Sequence, residues 1–404
     1  MKLRKVIYFI MCAFLSGGIF SGCEPANNTS ETSNTPSTIS ETSVVEKVEL
    51  PFTPIERPTL LADSMPAICE PKVSGDFIQA WLCNNWSKFE WSLYLNQLKK
   101  AGFEFVIMQY TTGRENAKYT EFLYPTEMAN DLSISAADCN VYPTGVENLL
   151  KSAKKAGLKV YIGIGGDSDW WNYEFEDIEW CKREANFTNR CIQELYDLYK
   201  EDYPDTFAGW YWAWEMFSAK GNHEVNWSEM ISINLDYMTQ LDPSMPCIFS
   251  PFFSSYEDVS VERVLEEYTY LMEHTSFRKG DIFCPQDNIG IHSTEYGDAN
   301  NNKGKYPITF MEQVVRALKE ATEKNPKVRF WLNIENFNGP NGKSATLNRY
   351  VDQMNIASKY AEKLITFSYA HYYSPSQVGK EYNLQYLQYL EWLKQNPQTN
   401  NILN

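Results

Sequence analysis

From residue 75 onward the chain alternates short strand-like apolar runs with longer stretches of helical periodicity. The runs are Gly75–Leu82, Phe103–Tyr110, Leu158–Gly165, Phe207–Trp214, Pro246–Phe252, Asp281–Gln286, Val328–Ile334 and Leu364–Ala370. Helical patterns follow each in turn, at Phe89–Lys100, Gly145–Ala156, Glu184–Lys200, Trp227–Leu241, Val261–His274, Phe310–Lys324, Ala345–Ala361 and Leu384–Leu393. In the first of these, Trp91, Leu95 and Leu98 recur at i, i+4 and i+7, and Gly102 stops the pattern. Such alternation builds a parallel sheet faced by helices. Eight strands, each followed by a helix over about 330 residues, meet the requirement of a single (β/α)8 TIM barrel. A doubly wound sheet would alternate in the same way, but no GxGxxG or P-loop follows the first strand. The barrel is the expected fold.

The N-terminal segment predicts export. Lys2, Arg4 and Lys5 precede an apolar run from Val6 to Phe14, followed by the small residues Ser16, Gly17 and Gly18. The run is too short to cross a bilayer and fits a cleaved secretory signal. Phe20-Ser21-Gly22-Cys23 then resembles a bacterial lipoprotein signal, in which Cys23 is acylated, although Phe20 stands where Leu is usual. Residues 24 to 50 are dominated by Ser, Thr, Asn, Pro and Glu and cannot bury enough apolar area to offset chain entropy. The expected organisation is a signal over 1–22, a flexible tether with a Pro-rich lead-in over 23–68, and a barrel over 69–404. The expected location is outside the cytoplasm, lipid-anchored to the cell membrane or the outer membrane, with the cell surface compatible. The lipid anchor is the only membrane contact expected, and the protein is expected to be a monomer.

Charge narrows the partners. The formal net charge is -16, and it becomes more negative once the three basic signal residues are removed. With no basic stripe to offset that field, a phosphate backbone is repelled, so no nucleic acid is expected. Of nine cysteines, Cys69, Cys83, Cys139, Cys181, Cys191, Cys247 and Cys284 lie in the folded part, with no CxxC pair. They are expected to be mostly free, buried thiols despite export. His223, His274, His292 and His371 show no paired-ligand spacing. Asp298, Asn300 and Asn302 begin like a calcium loop, but its glycine falls one place late, at Gly304, and Thr309 stands where Glu is needed. No metal and no cofactor are expected.

In a barrel, chemistry collects at the C-terminal ends of the strands. The fourth run ends on Glu215, which by strand alternation shares a face with Gly209, Tyr211 and Ala213, opposite Trp210, Trp212 and Trp214. The seventh ends on Glu335. Phe330, Leu332 and Ile334 form its all-apolar face towards the helices, which aims Trp331, Asn333 and Glu335 inward. Two carboxylates across a barrel mouth are what glycoside hydrolysis requires, one as proton donor and one kept ionised.

Further residues at strand ends are candidates for substrate contact. Gln286 and Asp287 end the sixth run, and Asp167 follows the third; Asp287 would equally orient a catalytic Glu or cap a turn. Gln79 and Gln109 fall late in the first two runs, where buried amides need partners. Trp214 adjoins Glu215. Trp81, Trp170, Trp171, Phe252, Phe253, Phe337, Tyr372 and Tyr373 lie at or beyond strand ends. About half of these rings are expected to meet ligand and the rest to pack.

The segments SGDFIQAWL, GWYWAWE, SPFF, CPQDNIG and FWLNIENF, in this order over roughly residues 72–375, resemble domain of unknown function 4434. That resemblance implies a TIM barrel and glycoside hydrolase activity. The placement of Glu215 and Glu335 is also similar to the large retaining glycosidase clan, whose acid/base follows strand four and whose nucleophile follows strand seven. The clan carries Asn before the acid/base, whereas this chain has Trp214. The leading expectation is a retaining glycoside hydrolase acting on an oligo- or polysaccharide, with Glu215 and Glu335 catalytic. The alternative is a non-catalytic glycan-binding barrel lipoprotein. A hydrolase of peptides or esters finds no GxSxG elbow and no evident Cys–His pair.

Overall fold

The computed structural model describes residues 47–54, 57–115, 118–128, 139–170, 175–218, 223–253, 260–292, 308–339 and 342–397. The signal, Cys23, the tether to residue 46, Trp171 and the Asp298–Gly304 loop lie outside the described residues. Leu50–Asn404 forms one unit.

The main sheet is all parallel and closes on itself. Its strands are β1 (Val73–Ile78), β2 (Phe105–Met108), β3 (Lys159–Gly163), β4 (Phe207–Trp212), β5 (Cys247–Phe249), β6 (Ile282–Phe283), β7 in two pieces (Arg329–Phe330 and Leu332–Glu335) and β8 (Leu364–Phe367). Read across the sheet, the order starts at Arg329–Phe330, runs β6, β5, β4, β3, β2, β1 and β8, and ends at Leu332–Glu335. Both edges are therefore pieces of β7, joined through Trp331, and the ring is an eight-stranded TIM barrel. Gln286 pairs with Asn333, and Glu335 pairs with Phe367, so the register carries the end of β7 to the rim.

Among the described residues, eight longer helices surround it: α1 (Lys88–Lys100), α2 (Gly145–Ala156), α3 (Ile178–Tyr199), α4 (His223–Leu241), α5 (Val261–His274), α6 (Ile308–Thr322), α7 (Leu347–Ala357) and α8 (Lys380–Gln395). In α2, Val146, Leu149, Leu150 and Ala153 make the buried stripe, and Gly157, at φ 73°, takes the left-handed conformation that ends it. Ser87 and Glu90 cap α1 reciprocally. Asp177 caps α3 by accepting from the Glu179 and Trp180 amides, so this helix begins six residues before the pattern predicts.

Strand alternation sorts the core into two layers. Trp210, Trp212, Trp214, Phe330, Leu332 and Ile334 join the layer between barrel and helices. Tyr211 and Trp331 join the interior with Phe77, Phe105, Ile107, Tyr161, Ile248, Ile282, Cys284 and Ile365. Both faces of β4 and β7 are as the alternation predicts. Aromatic rings fit inside because glycine stands opposite them: a Cβ on Gly75 would lie 2.1 Å from the Phe105 ring, and one on Gly209 would lie 2.8 Å from the Tyr161 ring. The lead-in is bound down rather than loose. Arg57 grips Asp63 through both terminal nitrogens (2.6 and 2.9 Å) and Asp352 of α7 through Nε (2.8 Å). The seven cysteines of the folded part are free, and Cys83, Cys181, Cys191, Cys247 and Cys284 are buried.

Candidate active site

Glu215 follows the end of β4 on the interior face. It is half-buried, and burial pushes its carboxyl up to about 7, while a hydrogen bond with the Gln286 side chain acts in the opposite sense. Gln286, just past β6, also donates through Nε2 to the Ser250 carbonyl at 3.3 Å. Its position is held from below, because its amide N–H donates to the Pro251 carbonyl.

Glu335 closes β7 and is buried, at 2% exposure. The Ile291 amide donates to its Oε2 at 2.8 Å. The short helix Ile289–His292 approaches so closely that a Cβ on Gly290 would lie 2.7 Å from the Glu335 Cβ, so only glycine fits there. Burial first, and then the negative charge of Asp287, raise the Glu335 carboxyl above the usual carboxylate range. The Ile291 N–H and the positive charge of Arg349 act in the opposite sense. Arg349 does not lock the glutamate: its Nη2 donates to the Phe337 carbonyl (2.6 Å) and to Asn338 Oδ1 (3.2 Å). The adjacent residues Gln286 and Asp287 thus serve the two glutamates, one each.

Three residues expected to meet substrate have other partners. Asp287, 1% exposed, accepts from Gln353 Nε2 (2.6 Å), Ile289 N (3.2 Å) and Glu335 N (3.3 Å). It braces Glu335 and caps a turn, with three donors on its carboxylate. Asp167, 2% exposed, lies 3.8 Å from Arg114 Nε and accepts the Asp169 amide at 2.9 Å. Arg114 reaches on to Glu184 of α3, so Asp167 belongs to a buried ion-pair cluster. Trp214 lies in the outer layer, edge-on to Trp180 with centroids 5.5 Å apart. In each case packing or charge pairing already engages the group that strand position aims at the mouth.

The other candidates divide between rim and core. Gln79 is half-buried before the short helix Ala80–Cys83, and its Oε1 accepts from Trp81 Nε1 at 3.1 Å. Trp81 is 38% exposed. Gln109 is buried at the rim; Gly163 makes room for it, since a Cβ there would fall 2.1 Å from the Gln109 carbonyl oxygen. Phe337 is buried and stacks on half-buried Tyr372 at 5.2 Å, with the planes 20° apart. The negative charge of Glu335 adds to burial in raising the Tyr372 phenol to about 12, which places Tyr372 within electrostatic reach of that glutamate. Trp170 and Tyr373 pack in the outer layer. The sequence reading passes over Gln353, whose Nε2 also donates to the Glu335 carbonyl at 3.1 Å. α7 is buried along its whole length, so Gln353 carries no mark of its own in the periodicity.

A family model described as Domain of unknown function (DUF4434) matches residues 73–379. The chain belongs to this family. No curated protein matches it in sequence. Among solved structures, a protein from Bacteroides thetaiotaomicron VPI-5482 with an alpha-L-fucosidase assignment is 20% identical, with a TM-score of 0.61 over 84% of this chain and 97% of its own. The endo-beta-1,4-mannanase from Thermotoga petrophila is 13% identical, with a TM-score of 0.52 over 85% of this chain and 80% of its own. The beta-galactosidase from the psychrophilic Marinomonas ef1 is 8% identical, with a TM-score of 0.50 over 81% of this chain and 60% of its own. At such identities the likeness concerns the fold: this DUF4434 chain has a barrel shared with glycoside hydrolases.

Proposed function

We propose that the protein is a glycoside hydrolase that cleaves an oligo- or polysaccharide with retention, using Glu215 as acid/base and Glu335 as nucleophile. The observation that supports this most is the pair of glutamates at the ends of β4 and β7, each met by one of the adjacent residues Gln286 and Asp287. With its carboxyl near 7, Glu215 keeps a proton near neutrality and donates it to the departing oxygen. Glu335 attacks the anomeric carbon as the bond to that oxygen breaks, forming a glycosyl ester. Glu215 then takes a proton from the water that hydrolyses the ester and regenerates both groups. The positive charge that develops on the sugar ring favours ionised Glu335 at the moment it is needed, against the effects of burial and Asp287.

The protein is proposed to work as a monomer held to a membrane through acylated Cys23, with the tether keeping the barrel clear of the lipid. A second reading, glycan capture without cleavage, draws support from one observation, the 2% exposure of Glu335. Proton NMR of an aryl glycoside digest tests the proposal. The first product anomer should keep the substrate's configuration. The opposite anomer contradicts retention, and glycan binding without turnover favours capture.

A further inference from the structure

The mouth between β8 and β1 carries a polar group that the two-glutamate chemistry leaves unused. His371 lies on the short helix Tyr369–Tyr372 that follows β8. Asp76 of β1 pins this helix, accepting the Tyr369 amide at 2.6 Å, the Ala370 amide at 2.8 Å and the Tyr94 hydroxyl at 2.6 Å. Ser368 Oγ accepts the His371 amide at 3.1 Å. Backbone bonds therefore place the residue that carries the imidazole.

Aromatic rings surround it. Trp81 lies 5.4 Å away and Phe367 6.0 Å away, the latter stacked at 22°. Phe367 is the ladder partner of Glu335, so the imidazole stands one ring from that glutamate. Its Nε2 is closed off from solvent and has no hydrogen-bond partner among the described residues. Burial lowers its pKa to about 4, so the ring is neutral, with one nitrogen a donor and the other an acceptor. If the position served packing alone, phenylalanine would fill the same slot between the rings without burying an unsatisfied nitrogen. Buried imidazole nitrogens are ordinarily hydrogen-bonded, whether to protein, to water or to a bound partner.

We propose that His371 recognises a ring hydroxyl of an uncharged sugar bound beside Glu335, through Nε2, with Trp81 as the ring that turns aside to admit it. This rests on the glycan-directed reading above. Trp81 suits the part: it is 38% exposed, and its hydrogen bond is to the neighbouring Gln79. A neutral imidazole matches a hydroxyl, which both donates and accepts, and brings no charge to favour a carboxylate or phosphate.

The test compares the wild type with His371→Phe and His371→Gln. Melting temperature is measured with and without L-fucose, D-galactose and D-mannose, and kcat/KM on the nitrophenyl glycosides of the same sugars. His371→Phe should melt at or above the wild type, because the orphan nitrogen is gone and the ring slot is filled. It should lose on the order of tenfold in kcat/KM and most of any sugar-induced melting shift. His371→Gln should recover part of both, since its amide restores a donor and an acceptor. A His371→Phe protein that melts well below the wild type, or one that keeps its kcat/KM and its sugar shift, makes the imidazole a packing group and overturns the proposal. A wild type stabilised by a sugar it never cleaves removes the hydrolase reading alone. A wild type neither stabilised by nor active on any of these sugars overturns this inference as well.

Discussion

The backbone N–H of Glu335 donates to Asp287 Oδ1 at 3.3 Å. Gln353 completes the grip, donating to Asp287 at 2.6 Å and to the Glu335 carbonyl at 3.1 Å. One carboxylate thus receives the buried amides of Glu335 and Ile289, the residue that opens the short helix over the glutamate. Removing it strands those donors, at about 1–3 kcal/mol each. Asp287→Ala should lower the unfolding free energy by roughly that amount or more and reduce turnover by misplacing Glu335. Urea denaturation checks the first effect, and a stability equal to wild type contradicts the brace.

Activity should be confined near neutrality. Glu335 must be ionised, and burial with Asp287 holds its pKa above the ordinary carboxylate range, so the acid limb lies well above the pH of an exposed glutamate. Glu215 must hold its proton, so kcat/KM falls again above the range in which the two raised carboxyls titrate. On a dinitrophenyl glycoside, whose leaving group needs no proton, Glu215→Gln should erase the alkaline limb. A pH–rate profile with that limb intact in the mutant contradicts the assignment of Glu215.

Asp76 predicts a pH dependence of stability. Burial pushes its carboxyl to about 8 despite three donors. A carboxyl raised in the folded state takes up a proton on folding. Its contribution is complete below the unfolded value of roughly 3.9 and is lost as pH rises through about 8. Asp76→Asn should flatten the decline in unfolding free energy across that window. The remaining decline belongs to Glu184 and Glu215, both raised to about 7, and to Asp287 and Glu335, whose buried carboxyls are raised as well. A mutant whose stability–pH curve runs parallel to the wild type contradicts this.

Most of the barrel was legible because alternation in β4 and β7 is strict: tryptophans and aliphatics outward, Tyr211 and Trp331 inward. Strand ends were read too long. The apolar runs through Trp81-Leu82 and Tyr369-Ala370 turn into short helices, and a brief apolar run cannot tell a strand from a buried helical turn. The apolar pattern of α3 starts six residues late, because its first turn is set by the Asp177 cap rather than by apolar spacing. The supporting residues were not legible, because their partners lie far along the chain. Asp167 pairs with Arg114 and Asp287 accepts from Gln353, and no local pattern joins either pair. His371 stood out only as one of four histidines without ligand spacing.

The anchor is tested separately. Cys23→Ala should leave the precursor unprocessed or release the protein from the membrane fraction, since acyl chains at that cysteine are its expected hold on lipid. Unchanged processing and membrane association in the mutant, read by fractionation, contradict the lipoprotein assignment.

Turnover of a dinitrophenyl glycoside by Glu335→Gln decides whether Glu335 forms the bond to the sugar. Glutamine cannot supply the attacking carboxylate, so kcat should fall by several orders of magnitude in a protein that still folds. A Glu335→Gln variant that turns over the substrate at the wild-type rate contradicts the account.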